Sequence, residues 1–358
     1  MATDRFAASA TGESRGSAIV VGAGVSGLVV ARDLARAGVR VTLIEAQAVA
    51  GGRLRRAELG DLRIDIGAEA FATRGGSVRA LLDELHLGDR VVRPARLGAW
   101  TVGESYALPL PEAGALGVPA RPLSRSARET LGFFGALRAS IEPLLPRWIG
   151  MRSGSLAELV RLRLGRRVLN RLVAPVVRGV YSADPAQLQA AALPGIGDAL
   201  VNGSSLIAAS RKLRDEQSAA GAAVASLDGG MTVLVDALLL ELERLGVELR
   251  AGERAAALEL RPRAVITASG TRLPADVIVL AVAESVARAL LGLPALERAR
   301  ETPVEVVALR LVDSRLDAWP RGTGVLVAEG GSVSAKALTH VTAKWPHLSL
   351  PQIGRAHV

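Results

Sequence analysis

The residues best equipped for chemistry stand near the start of the chain. The segment VVGAGVSGL places Gly22, Gly24 and Gly27 in GxGxxG spacing, directly after an apolar β-branched run and at the opening of a helical pattern. Such a turn aims backbone N–H groups and a helix N-terminus at one point, which suits an anion such as a pyrophosphate. Each glycine has its own reason: Gly22 for the tight turn, Gly24 for close approach of backbone to ligand, Gly27 for close packing of helix on strand. Glu45, 18 residues after Gly27, ends a second apolar run. A carboxylate there accepts hydrogen bonds from the hydroxyls of an adenosine ribose. The glycine turn alone is weak evidence, because such turns occur without nucleotides; joined to Glu45 it points to a dinucleotide. Gly51, Gly52 and Arg53 follow within a few residues. They add a second close-approach turn and a fixed cation, a pair that a nicotinamide site does not need.

Other chemistries are thinly supplied. The 358 residues include no Cys, which removes disulfides, thiolate metal sites and thiol redox chemistry, so redox work needs a bound cofactor. His86, His340, His347 and His357 are scattered without HxxxH spacing, and no metal site is expected. The formal charge is +9, and 41 of the 44 basic residues are Arg. These are spread along the chain among acids, with no basic run interleaved with aromatics, so a nucleic-acid partner is not expected. An excess of cations favours an anionic substrate through long-range attraction without identifying one. The start of the chain has no apolar leader pattern, and the most apolar stretch, Val277 to Leu293, is interrupted by Glu284 and Arg288. A cytoplasmic protein without a spanning helix is expected, with peripheral membrane contact and oligomeric state left open.

The elements that must position these residues are legible in outline. Ala18 to Val21 reads as a strand, Leu28 to Ala37 as a helix with Gly38 at its C-terminal cap, and Val39 to Ile44 as a strand, which makes a βαβ unit. Leu62 to Ile66 alternates as a strand does, and Val78 to Leu85 reads as a helix. Beyond Pro94 the chain changes character: Trp100 to Leu110 reads as a hairpin, then Ser124 to Ser140, Ser155 to Leu164 and Arg167 to Val177 as helices. From Ala225 the α/β pattern returns, with a helix over Thr232 to Leu245 and strands at Val247 to Leu249, Val265 to Thr267 and Val277 to Leu280. Val304 to Leu311 is expected to open a further strand.

Past the ribose acid, EAQAVAGGRLRR resembles the FAD-dependent amine oxidases, carotenoid desaturases and porphyrinogen oxidases, whose first motif continues into GGR. Three further segments are similar to the bacterial protoporphyrinogen/coproporphyrinogen oxidases of haem synthesis: DIGAEAFATRGG from Asp65, PVVRGVYSADPAQL from Pro175, and LDGGMTVLVDAL from Leu227. The resemblance runs from about Ala18 to Leu311. It implies an α/β fold in which a Rossmann-type FAD-binding domain is interrupted by a helical insert and a mixed α+β substrate domain. The expected divisions are 17–93 and 225–295 for the FAD domain, 94–224 for the largely helical insert, and 296–352 for the start of a substrate-domain sheet.

Carried over by residue, the resemblance implies FAD contacts from Gly22, Gly24, Gly27, Glu45, Gly51, Gly52, Arg53, Gly67, Ala68 and Ala281. Ala255 stands where relatives place a Val against the adenine. The implied reaction is dehydrogenation of a porphyrinogen in three two-electron rounds, hydride passing to the flavin and molecular oxygen regenerating it as peroxide. The flavin carries the hard step, so no triad or carboxylate pair is demanded, and none is found. Arg74 is the candidate for a substrate propionate, because a guanidinium grips a carboxylate bidentately; Glu69 and Tyr181 are further substrate-site candidates. The alternatives are another enzyme of the same superfamily, an amine oxidase or carotenoid desaturase, or a non-catalytic fragment. The last arises because nothing after Leu311 resembles the Gly-rich segment with which relatives close the flavin site. Ile353 to Val358, IGRAHV, match one reading frame of a common sequencing adapter, so an artefactual tail and an inactive, shortened chain are expected.

Overall fold

The computed structural model describes residues 15–73, 75–111, 115–146, 148–190, 197, 204–219, 224–295, 303–311, 322–328 and 333–348. The chain divides into two compact units, one of residues 1–71, 77–91 and 226–301, the other of 72–76, 92–225 and 302–358.

In the first unit the β-branched runs form a four-stranded parallel sheet, in the order Glu248–Ala251, Arg40–Glu45, Ser17–Val21, Val277–Leu280. Val21 lies opposite Ile44 on one side and Leu280 on the other, so three strand ends coincide at one edge. Helix Val25–Arg36 ends as the sequence suggests: Gly38 takes φ +82°, with Gly38 N–H donating to Ala35 O and Val39 N–H to Leu34 O. This pair of bonds satisfies carbonyls that the helix leaves open. Helix Thr232–Arg244 packs beside it. Arg32, almost wholly buried, ties the two by donating to Glu241 Oε2 at 2.8 Å and to Glu84. On the opposite face Ile19, Val21 and Ile44 join Val265 of an antiparallel sheet formed by Ala255–Leu260, Arg263–Thr267 and Arg272–Pro274. Strand Leu62–Asp65 pairs with Arg56–Leu59 as a hairpin, and Ser77–Glu84 is helical.

The second unit joins helices to a four-stranded sheet. Ser124 and Ser155 cap helices Arg125–Ser140 and Leu156–Arg163, each hydroxyl accepting from the N–H three residues on. The next helix runs from Arg166 to Tyr181, with a π-type stretch at Leu169–Val173. Leu131, Leu156, Leu159, Val160, Leu172 and Ile207 lie in the apolar core of these helices. The expected hairpin, Trp100–Gly103 with Tyr106–Pro109, forms. It is widened by Gly324–Val327, parallel to Trp100–Gly103, and by Ala337–Thr339. The strand expected at Val304 to Leu311 is absent: residues 303–311 form no ladder, and Val304, Val306, Val307, Leu309 and Leu311 are exposed. Alternation sets which face a strand would bury, but a strand exists only where a second backbone accepts its hydrogen bonds.

Glu142 is wholly buried and collects four donors: Arg163 Nε at 2.7 Å, Leu206 N at 3.0 Å, Ile207 N at 3.3 Å and the Ser205 hydroxyl. One carboxylate thus caps helix Leu206–Ala219 and neutralises a buried guanidinium. Glu142→Ala leaves both uncompensated and is expected to cost about 3 to 5 kcal/mol of unfolding free energy. Urea denaturation followed by circular dichroism measures this, and a loss below about 1 kcal/mol would remove Glu142 from that role.

Candidate functional site

The site is built from the edge where the parallel strands end. Gly22 has φ +102°, and a Cβ on it would stand 2.6 Å from Ala281 O. A Cβ on Gly27 would stand 1.8 Å from Gly22 O, so the helix reaches the strand only with glycine there. Gly24 differs: nothing lies within 4 Å of where its Cβ would be, and its φ of −70° is ordinary for any residue. The bare backbone at Gly24 therefore faces open space at the N-terminus of a 12-residue helix. The tight turn at Gly22 and the close packing at Gly27 are present in the geometry, and the backbone at Gly24 is left open.

Glu45 closes the second strand. Its Oε2 accepts the Ala23 N–H at 2.8 Å and its Oε1 the Gln47 N–H at 2.8 Å. These bonds fix the carboxylate beside the glycine turn and leave each oxygen a second lone pair for a ribose hydroxyl. Ala255 starts the strand two residues after Glu253, whose N–H donates to Glu45 O at 2.9 Å.

The GGR segment is fastened to the same turn. Gly51 N–H donates to Ala23 O at 2.8 Å, Gly24 and Gly51 form a parallel bridge, and a Cβ on Gly52 would stand 3.0 Å from Gly24 Cα. Ala68 N–H donates to Arg53 O at 3.0 Å, and a Cβ on Gly67 would fall 2.0 Å from that oxygen. The Arg53 side chain is exposed. The structure thus brings Gly22, Gly24, Gly27, Glu45, Gly51, Gly52, Arg53, Gly67, Ala68 and Ala281 into one cluster of backbone contacts.

Two of the substrate candidates are described, one in each unit. Glu69 lies in the first unit, its carbonyl accepting from the Ser226 hydroxyl at 2.7 Å. Tyr181 is the last residue of a helix in the second unit, followed by Ser182 at φ +50°. Arg74 lies outside the described residues. Asp65, read from sequence only as the start of a matching segment, has a larger part. Its Oδ2 accepts the Met231 N–H at 2.9 Å, joining the strand before Gly67 to the turn before helix Thr232–Arg244. Its Oδ1 is buried without a hydrogen-bond partner among the described residues. Burial holds this carboxyl above its ordinary pKa, and the nearby Glu69 charge pushes the same way against the Met231 and Thr232 amides. The signal was in the sequence as Asp beside GA and GG before Met231, but a link across 166 residues has no local signature.

A phosphate-bearing dinucleotide fits this cradle: open backbone at a helix N-terminus, a fixed carboxylate at the neighbouring strand end, and a second glycine turn locked against the first. Residues 25–339 match the model of the flavin containing amine oxidoreductases. Coproporphyrinogen III oxidase of Mycobacterium tuberculosis is 32% identical over 340 residues, 91% of this chain and 73% of that protein. Its counterpart in Bacillus subtilis is 26% identical, over 92% and 74%. A candidate protoporphyrinogen oxidase from Exiguobacterium shares the fold with a TM-score of 0.74 and 22% identity, over 96% of this chain and 77% of that one. The chain belongs to the flavin containing amine oxidoreductase family. It is an oxidoreductase, and FAD is its cofactor.

Two outcomes follow. Glu45→Ala is expected to lose about 1.5 to 3 kcal/mol of FAD affinity, the worth of charge-assisted hydrogen bonds, as read by flavin titration; unchanged affinity would remove Glu45 from the ribose site. Asp65 has a raised pKa, so its folded-state proton stabilises the protein at low pH. That stability is lost as pH rises from the ordinary Asp value through the raised one. Asp65→Asn should abolish this decline when melting temperatures are compared between about pH 3 and 7, and parallel profiles would contradict it.

Proposed function

We propose that this chain oxidises a porphyrinogen, coproporphyrinogen III or protoporphyrinogen IX, to the porphyrin in haem biosynthesis. Bound FAD supplies the hydride acceptor, and three two-electron rounds pass six electrons to three molecules of oxygen, giving three of peroxide. The observation that carries this reading is the 32% identity with a coproporphyrinogen III oxidase across 91% of the chain. In this reading the first unit, which carries the glycine cradle, holds the cofactor, and the second forms the substrate domain. The pyrrole N–H groups release their own protons, so no side chain of this chain has to serve as a strong base. The task of the protein is to hold the flavin, orient the macrocycle and pair its carboxylates.

A net charge of +9, almost all of it from Arg, suits a polycarboxylate. Coproporphyrinogen, with four propionates against two, is the favoured substrate. The test is peroxide release from the flavin-loaded chain on each porphyrinogen, with turnover on coproporphyrinogen III expected to be the faster. Oxidation of simple amines with neither porphyrinogen turned over would assign it elsewhere in the family.

Arg74 follows the flavin-facing segment, and we assign it to a substrate propionate. Arg74→Ala is expected to raise KM for coproporphyrinogen III by about tenfold or more while flavin affinity stays within about twofold. Equal kinetics in variant and parent would take Arg74 out of the site.

A further inference from the structure

Residues 303–311 carry the pattern of a strand and have no strand beside them. All but Ala308 are exposed, so neither set of alternate side chains is buried. Val304 is 61% exposed, Val306 58%, Val307 66%, and Leu309 and Leu311 46% each. Among the described residues no backbone hydrogen bond reaches residues 304–309. Single exposed apolar residues are ordinary, but here five large ones fall within eight consecutive positions. Apolar side chains beside open backbone N–H and C=O groups are a template on which another chain adds a strand.

The two charges of the segment decide which chain fits. Glu305 and Arg310 stand just inside Val304 and Leu311. When two copies run antiparallel with Val307 opposite Ala308, Glu305 of each copy meets Arg310 of the other. Val304 then meets Leu311, and Val306 meets Leu309. Residues directly opposite share a face of the sheet, so both ion pairs and the apolar pairs form together.

Neighbouring registers lose this match. A shift of one residue puts Glu305 opposite Leu309 or Leu311, and a shift of two puts Arg310 opposite Pro303 or Val307. A parallel pairing in register sets Glu305 against Glu305 and Arg310 against Arg310, which repels. The matched antiparallel pair is two-fold symmetric, the same residues serving both copies.

We propose that a second copy of this chain is the partner of residues 304–311, the two segments forming an antiparallel ribbon that joins the chains into a dimer. A ribbon of two strands is marginal in water by itself. The dimer therefore forms in proportion to concentration, and the cross-strand charges set its register and a measurable part of its strength.

Sedimentation equilibrium of the full chain over about a hundredfold range of concentration tests this. The parent should pass from monomer to dimer. Glu305→Arg and Arg310→Glu should each weaken the dimer about tenfold or more, since either change sets like charges opposite one another at both ends of the ribbon. Mixing decides the matter: the two single variants in equal amounts should recover a dimer within about threefold of the parent's strength, because each supplies the charge that the other has lost. Glu305→Arg combined with Arg310→Glu in one chain should recover it alone. Both positions are exposed, and circular dichroism and melting temperature matching the parent establish that the fold is kept. The proposal fails if the parent stays monomeric throughout, if it forms aggregates of indefinite size, or if both single variants dimerise as the parent does. It fails equally if neither the mixture nor the double variant recovers what the single variants lose.

Discussion

Helix Val25–Arg36 sits on its strand because position 27 has no Cβ; one placed there would meet Gly22 O at 1.8 Å and Ala281 Cβ at 3.2 Å. That approach fixes where the helix begins, and so where Gly24 and the first free N–H groups stand. Everything else in the cradle is referred to them. The GGR turn is bonded to Ala23, the Gly67 segment to Arg53, and Asp65 to the amide before helix Thr232–Arg244. Three stretches of chain are thus held by backbone contacts, most of them through glycines, and the fourth by the Asp65 carboxylate. Backbone contact is less adjustable than side-chain packing, since no rotamer change relieves a Cβ placed against a carbonyl.

Buried charge serves a related end. Arg32 joins Glu84 and Glu241 in the first unit, and Glu142 joins Arg163 and three donors at residues 205–207 in the second. Each pair is costly to desolvate and gains little over a well-packed apolar replacement. What they supply is selectivity: a guanidinium buried at Arg32 tolerates only the arrangement that brings Glu241, 209 residues away, within 2.8 Å.

The cradle was legible where its logic is local. GxGxxG after a strand, an acid at the next strand end and GGR beyond it all lie within Gly22 to Arg53, and helix periodicity placed the intervening elements to within a few residues. The family resemblance added Gly67, Ala68 and Ala281, whose positions depend on strands far apart in the chain. Beyond that range the sequence shows elements without their partners. Strand Arg56–Leu59, in a charged stretch, was hidden until its partner Leu62–Asp65 was seen; Gly324–Val327 pairs with Trp100–Gly103 across more than two hundred residues. The alternation at Val304 to Leu311 failed as a strand for the same reason, since pattern specifies a face and says nothing of a partner. Asp65 could not be singled out because its burial and its bond to Met231 exist only in the folded chain.

The central claim is that the open backbone at Gly24 is where the cofactor's pyrophosphate lies. Gly24→Ala isolates it, because the added Cβ meets no protein atom within 4 Å and φ −70° suits alanine. Flavin affinity and apoprotein melting temperature should be measured together. The account predicts an unchanged melting temperature with FAD affinity lowered at least about tenfold, as a methyl group enters the space the pyrophosphate needs. Parent-like FAD affinity in Gly24→Ala would contradict it.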